Sequence, residues 1–168
     1  MPTTAVDAAR GLAGALEHSL EAMPQAARGD GERALRRLQD VVVPRLEDAQ
    51  APLLVVVGGS TGAGKSTLVN SLLDRDVSRS GTLRPTTRRP VLVCSLQARA
   101  WFMSDRVLPR LAKHEGGQGT SLDAVTIVVD DMMWPSIGIL DAPDIDSVEE
   151  GNRRLASELL DSADLWIF

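Results

Sequence analysis

Residues 59–66 read Gly-Ser-Thr-Gly-Ala-Gly-Lys-Ser, which is a complete G-x-x-x-x-G-K-[ST] phosphate-binding loop. The motif follows an apolar run at 53–57 and precedes a sequence at 67–73 that is typical of a helix. A buried strand, a glycine-rich turn and a helix, in this order, are the context that the motif requires. The sequence therefore predicts that the chain binds a nucleoside triphosphate.

Each residue type in this loop has a physical reason for its position. Glycines let the backbone wrap so that successive N–H groups point at phosphate oxygens, and the following helix adds the positive end of its dipole. Lys65 supplies a charge for the β- and γ-phosphates, and the Ser66 hydroxyl can bind Mg²⁺. The predicted nucleotide contacts are Gly59, Ser60, Thr61, Gly62, Ala63, Gly64, Lys65, Ser66 and Thr67.

Length and composition restrict the class of protein. The chain has 168 residues, enough to bury a core, and its net charge of −5 argues against a nucleic-acid partner bound through bulk positive charge. Its single cysteine, Cys94, excludes a disulfide within the chain, which suits a reducing compartment. The N-terminus lacks the apolar region of a signal peptide, and no apolar run approaches the ~20 residues of a membrane span. We expect a cytoplasmic protein, and peripheral membrane association through regions outside this chain stays open.

Two segments are expected. Residues 1–50 carry apolar side chains at helical spacing on either side of a break at 28–31, which predicts an N-terminal helical extension with a kink at Pro44. Residues 51–168 alternate apolar strands with helical patterns. This alternation indicates an α/β fold, a P-loop NTPase three-layer sandwich with a mostly parallel sheet.

Within 51–168 the pattern predicts helices at 65–73, 99–113 and 149–161 and strands at 53–58, 91–96, 124–130, 136–141 and 164–168. Because the connection between the strands at 124–130 and 136–141 is short, these two are expected to pair antiparallel. The sequence stops inside the last strand, so we expect the P-loop domain to be incomplete at its C-terminus.

Two further segments are candidates for binding Mg²⁺. The polar stretch at 84–90 can carry a threonine hydroxyl to the metal and cover the γ-phosphate. Asp141 ends an apolar strand, and a carboxylate at the carboxyl end of a strand beside the phosphate loop holds Mg²⁺ directly or through water. Asp130 meets the same rule, but we prefer Asp141 because Asp130 and Asp131 are more typical of a hairpin end.

These motifs together resemble the dynamin-like and Era-like branch of bacterial GTPases. Gly-Lys-Ser-Thr-Leu-Val-Asn-Ser-Leu-Leu at 64–73 is similar to the first G-motif of that branch. Thr-Arg-Arg-Pro at 87–90 is similar to switch I of dynamin-like proteins, and Leu-Asp-Ala-Pro at 140–143 to the start of the third G-motif. The resemblance covers residues 53–168.

The resemblance implies that the chain hydrolyses GTP to GDP and phosphate with Mg²⁺. Lys65 and Thr87 would then be catalytic, with Thr86 as the alternative to Thr87, and the metal would be held by Ser66, Thr87 and Asp141. It also implies a guanine nucleotide as partner and leaves open a homodimer through the nucleotide face. Arg88 and Arg89 either neutralise transition-state charge or belong to a solvated loop face.

The sequence departs from this family pattern at three places. Asp144 occupies the glycine position of Asp-x-x-Gly, and Thr61 stands where dynamins carry a catalytic glutamine. The Asn/Thr-Lys-x-Asp motif that reads the base is absent from residues 1–168. Two alternatives therefore stay open: a P-loop ATPase or kinase, and a nucleotide-dependent switch or scaffold with little hydrolysis.

Overall fold

The computed structural model describes residues 4–76, 89–116, 124–144, 146 and 150–168. The chain divides into two compact units, Met1–Ala51 and Pro52–Phe168. Helices make up the regular structure described in the first unit, and the second is an α/β unit built on a six-stranded sheet.

In the first unit, residues 4–51 form three α-helices, α1 (Ala5–Leu20), α2 (Gln25–Arg37) and α3 (Val43–Glu47), with a π-helical turn (Leu38–Val42) between α2 and α3. Thr4 and Asp7 form a reciprocal capping box that satisfies two backbone N–H groups at the start of α1. The expected kink at Pro44 takes the form of the π-helical turn that precedes it. Because proline has no N–H to donate, a local change of helical pitch at this place is physically reasonable.

The described residues of the second unit form six strands and three helices. In chain order these are β1 (Leu53–Val57), α4 (Lys65–Leu73), β2 (Val91–Cys94), α5 (Arg99–Met103), β3 (Ala112–Glu115), β4 (Ala124–Val129), β5 (Ile137–Asp141), α6 (Glu150–Asp161) and β6 (Leu165–Ile167).

The strands lie in the order β3-β4-β2-β5-β1-β6. Within the described sheet β1 is parallel to β5 and β6, and β4 is parallel to β2 and β3, while β2 and β5 are antiparallel. The sheet therefore consists of two three-strand groups that run in opposite directions. The carboxyl ends of β1 and β5 meet at one edge of the sheet, and the carboxyl end of β4 lies at the other.

Two details of the predicted order are wrong. β4 and β5 do not pair with each other, because β2 lies between them and makes both pairings. The predicted helix at 99–113 is helical only over Arg99–Met103. Its last two residues belong instead to the strand Ala112–Glu115. That strand pairs with β4 at the border of the described sheet, where a polar sequence such as Ala-Lys-His-Glu is tolerated because its side chains are mostly exposed.

The core has two layers, one on each face of the sheet, because successive residues of a strand point to opposite faces. One layer packs against α5 and α6 and includes Leu54, Val56, Phe102 and Leu159. The other packs against α4 and includes Val55, Val57, Val69, Met133 and Ile139. Helices thus cover both faces, and the predicted α/β sandwich with a mostly parallel sheet and N-terminal helices is confirmed.

Gly138→Ala is expected to destabilise the protein. A Cβ at Gly138 would lie 2.5 Å from Cζ of Phe102, whose ring is completely buried and cannot retreat into solvent. Overpacking of this kind costs about 1–3 kcal/mol in the free energy of unfolding, measurable by chemical denaturation.

Gly151→Ala provides the matched control. It makes the same change in the unfolded chain, but Gly151 lies on the exposed side of α6 with no described atom within 4 Å of the new Cβ. This variant should be as stable as the parent or more stable by up to about 1 kcal/mol. Equal stability of the two variants would contradict the packing argument.

Candidate phosphate-binding site

The loop between β1 and α4 has the backbone conformation that its glycines allow. Gly59, Gly62 and Gly64 have φ angles of 145°, 79° and 84°, all in the region that disfavours other residues. Gly64 is the N-cap of α4, so the loop leads directly into the positive end of the helix dipole. Residues 60–64 are exposed and accessible to a ligand, whereas the predicted contacts Gly59, Lys65 and Ser66 are buried.

Lys65 is the first residue of α4, and its side chain folds back into the loop. Its ammonium donates hydrogen bonds to the carbonyl oxygens of Gly59, at 3.1 Å, and Ser60, at 2.8 Å. Only 8% of the side chain is exposed, although it carries a charge. The loop therefore surrounds a buried positive charge, which is an arrangement suited to binding an anion.

Ser66 and Asp141 are brought together by strand pairing. Asp141 is opposite Val57 in the parallel register of β5 with β1, so it lies beside the phosphate loop. The Ser66 hydroxyl donates to the Asp141 carboxylate at 2.6 Å, and both side chains are buried. A hydroxyl and a carboxylate are hard oxygen ligands of the kind that Mg²⁺ prefers.

Among the described residues, no group of three or more His, Cys, Asp and Glu side chains could hold a metal ion by itself. This is compatible with Mg²⁺, which is usually held by one or two carboxylates together with substrate phosphates and water. The pair of Ser66 and Asp141 therefore fits a magnesium ion that arrives with a nucleotide.

Two carboxylates from the segment after β5 contact the loop. Asp144 forms an ion pair with Lys65, with Oδ1 2.5 Å from Nζ, and its Oδ2 is 2.9 Å from the Thr61 hydroxyl. Asp146 accepts a 2.8 Å hydrogen bond from the Thr61 N–H. That bond is the main cause that lowers the pKa of the Asp146 carboxyl from its ordinary value of 3.8, and the Thr61 hydroxyl and the Lys65 charge act in the same direction. The loop is thus already in contact with anionic groups.

Asp146 is a contact that the sequence interpretation missed. In the sequence, Asp144 stands out only as a departure at a glycine position, and the carboxylate two residues later belongs to no motif. The available signal was the spacing of three carboxylates: Asp141 ends an apolar strand, and Asp144 and Asp146 follow it within five residues.

Asp130 lies far from this arrangement. It follows β4, whose carboxyl end is at the edge of the sheet opposite to that of β1 and β5. There its carboxylate accepts from the N–H of Met132 at 2.8 Å and pairs with Arg75 at 3.2 Å, and it is 5% exposed. From this position Asp130 cannot reach a metal at the phosphate loop.

Thr86, Thr87 and Arg88 fall outside the described residues. The described chain resumes at Arg89, which is half-buried and lies two residues before the start of β2. Val91, the first residue of β2, is opposite Asp141 in the antiparallel register. The structure therefore brings the end of the predicted switch I segment to the same edge of the sheet as Asp141.

Comparisons with known proteins find similarity to dynamins. Residues 55–108 match the model of the Dynamin family. The chain is 28% identical over 117 residues to the "Probable transmembrane GTPase FZO-like, chloroplastic" of Arabidopsis thaliana, a match that covers 70% of this chain and 12% of that protein. These two matches support a dynamin-like protein. The chain spans only a small part of the length of the plant relative.

A solved structure is also similar to the chain. It is described as "An oligomerised bacterial dynamin pair provides a mechanism for the long-range sensing and tethering of membranes", with 12% identity and a TM-score of 0.37 over 91% of this chain and 28% of that chain. In the part of this chain that the structure describes, no helix combines the length and the apolar character needed to cross a membrane.

Asp130→Ala is expected to lower stability without affecting the phosphate loop. The change removes a buried carboxylate that holds Arg75 and the Met132 N–H, and the loss of charge-assisted hydrogen bonds costs about 1.5–3 kcal/mol in the free energy of unfolding. Asp131→Ala, one residue further on and exposed, is the control and should change little. Weaker binding of Mg²⁺ and triphosphate by folded Asp130→Ala would contradict the placement of Asp130.

Proposed function

We propose that this chain binds GTP with Mg²⁺ and hydrolyses it to GDP and phosphate, as part of a dynamin-like GTPase. The observation that carries the proposal is the loop at 59–66, in which three glycines of positive φ lead into α4 and surround the buried Lys65 ammonium. The family match at residues 55–108 includes this loop.

The loop would bind the β- and γ-phosphates. Its backbone N–H groups and the N-terminus of α4 provide donors, and the Thr61 N–H already donates to a carboxylate, which supports an anion site at this place. The Lys65 ammonium would exchange its contacts with loop carbonyls for phosphate oxygens. In the transition state it would stabilise the charge that develops on the transferred phosphoryl group.

Ser66 and Asp141 would hold the metal, with Thr87 as a third ligand by the resemblance. The 2.6 Å distance between the Ser66 hydroxyl and the Asp141 carboxylate, and the burial of both side chains, support this role, since a metal bound with the nucleotide would need ligands fixed beside the loop. When bound, Mg²⁺ neutralises charge on the phosphate oxygens. Thr87 is a proposal from sequence alone.

The choice of GTP over ATP rests on the Dynamin match and on the printed name of the plant relative. A P-loop ATPase or kinase stays the alternative on the loop motif alone, and the Era-like branch stays a prediction. A switch with little hydrolysis is favoured by one observation: Thr61, at the position of the dynamin glutamine, contacts Asp144 and Asp146. The homodimer, a role for Arg88 and Arg89 in catalysis, a cytoplasmic location and membrane contact outside this chain also stay predictions.

Lys65→Ala tests the phosphate assignment. Removal of the ammonium should weaken GTP binding by about 100-fold, because a charge-assisted contact to phosphate is lost in a mostly buried site. Binding is measured by titration with a fluorescent GTP analogue and by competition with ATP and GDP. Arg154→Ala on the exposed side of α6 removes one positive charge elsewhere and is the control. Unchanged affinity in folded Lys65→Ala would contradict the assignment.

Thr87→Ala tests the hydrolytic step. If the hydroxyl acts on the metal only when a γ-phosphate is present, the variant should lose at least about tenfold in kcat while GDP affinity stays within a factor of two. Single-turnover hydrolysis and GDP titration measure the two quantities. Thr86→Ala is the comparison: if it, rather than Thr87→Ala, slows hydrolysis, the proposed register of switch I is wrong by one residue.

A further inference from the structure

The segment after β5 places carboxylates on the groups that the proposed function assigns to phosphate. Asp144 Oδ1 is 2.5 Å from the Lys65 ammonium, and Asp146 Oδ1 is 2.8 Å from the Thr61 nitrogen. The Thr61 hydroxyl lies 2.9 Å from Asp144 and 3.1 Å from Asp146. A hydroxyl has one proton, so it donates to one of these carboxylates at a time and links the two.

We propose that Asp144 and Asp146 form an internal anion that occupies the phosphate loop until the phosphates of a nucleotide displace it. The inference rests on the proposed function, because it concerns regulation of the same site. The two carboxylates and the Thr61 and Lys65 donors that they contact are called the carboxylate latch below.

Competition follows from charge and space. The Lys65 ammonium and the loop N–H groups are the donors that a triphosphate requires. In the latch, Asp144 occupies the ammonium and Asp146 occupies one of the N–H groups, that of Thr61. Two carboxylates cannot stay within hydrogen-bond distance of these donors while phosphate oxygens take the same positions, because like charges at such distances repel strongly. Nucleotide binding and opening of the latch are therefore coupled, and each must weaken the other by the same factor.

The strength of the latch is moderate. Lys65 is 8% exposed, but the Asp144 side chain is 37% exposed, so water screens the ion pair and lowers its contribution. A closed state of moderate stability reduces the apparent affinity by the fraction of molecules that are open, without abolishing binding. The latch thus raises the nucleotide concentration that is needed for half-saturation.

One residue of the latch, Asp144, is also a departure from the family sequence pattern. Asp144 stands at the glycine position of the Asp-x-x-Gly motif that the chain otherwise resembles. A glycine has no carboxylate to pair with the lysine of the loop. The residue that departs from the pattern is therefore the one that makes the ion pair with Lys65.

The latch is tested with Asp144→Asn, Asp146→Asn and the double variant, which keep the side-chain shape and remove the charge. Asp131→Asn, in an exposed position after β4, is the control for loss of one negative charge. The first measurement is made without nucleotide: Asp146→Asn should accelerate hydrogen exchange of the Thr61 amide, since the hydrogen bond from that N–H to a carboxylate is weakened. Asp131→Asn should leave this exchange unchanged.

The second measurement is the affinity for GTP with Mg²⁺. Each single variant should bind about tenfold more tightly than the parent, because release of a charge-assisted contact increases the open fraction. The double variant should gain at least as much, and Asp144→Gly should gain as Asp144→Asn does. The control should match the parent.

The outcomes separate the two proposals. If the parent binds GTP and the Asn variants bind equally well or more weakly, the latch is overturned and the proposed function stands. Unchanged exchange of the Thr61 amide in Asp146→Asn also overturns the latch. If neither the parent nor any variant binds GTP, inorganic tripolyphosphate or ATP, the loop is not a phosphate site, and both proposals are wrong.

Discussion

The parallel pairing of β1 with β5 is the constraint on which the rest of the site depends. In this register Val57, the last residue of β1, is opposite Asp141, so the phosphate loop and the segment that follows Asp141 leave the sheet at the same edge. The contacts of Ser66 with Asp141 and of Lys65 with Asp144 are consequences of this pairing. The antiparallel pairing of β2 with β5 then adds the end of the predicted switch I segment at that edge.

The second requirement of the site is to compensate a buried positive charge. An ammonium out of contact with water is costly unless it is paired and hydrogen-bonded. Two carbonyl oxygens of the loop and the Asp144 carboxylate meet that requirement for Lys65. The same ammonium is the natural partner of a phosphate. A bound nucleotide would therefore compensate the charge that the loop carbonyls and Asp144 compensate in its absence. Folding of the loop and the proposed binding therefore depend on one charge.

Much of the α/β unit could be predicted because its elements have strong local patterns. Two elements were predicted to within one residue, the strand Leu53–Val57 and the helix Lys65–Leu73. Both adjoin the phosphate-loop motif, which requires a strand before it and a helix after it. The strand Ala112–Glu115 was missed because it is short, polar and at the border of the described sheet, where burial imposes no alternation. The pairing of 124–130 with 136–141 was wrong because a short connection permits a hairpin but does not exclude a third strand between the two.

The candidate site divides in the same way. The sequence by itself determined the loop: three glycines permit positive φ, and Lys65 and Ser66 follow at the start of a helix, so the conformation is specified by adjacent residues. Only the tertiary structure decided which carboxylates face it. Asp130 and Asp141 both follow apolar strands, and the direction of each strand in the sheet put one at the far edge and the other beside Ser66. Strand order and direction are set by long-range packing, which residue spacing does not encode. The spacing of the carboxylates at 141, 144 and 146 marks Asp146 as a candidate, but its contact with Thr61 could be identified only in the folded chain.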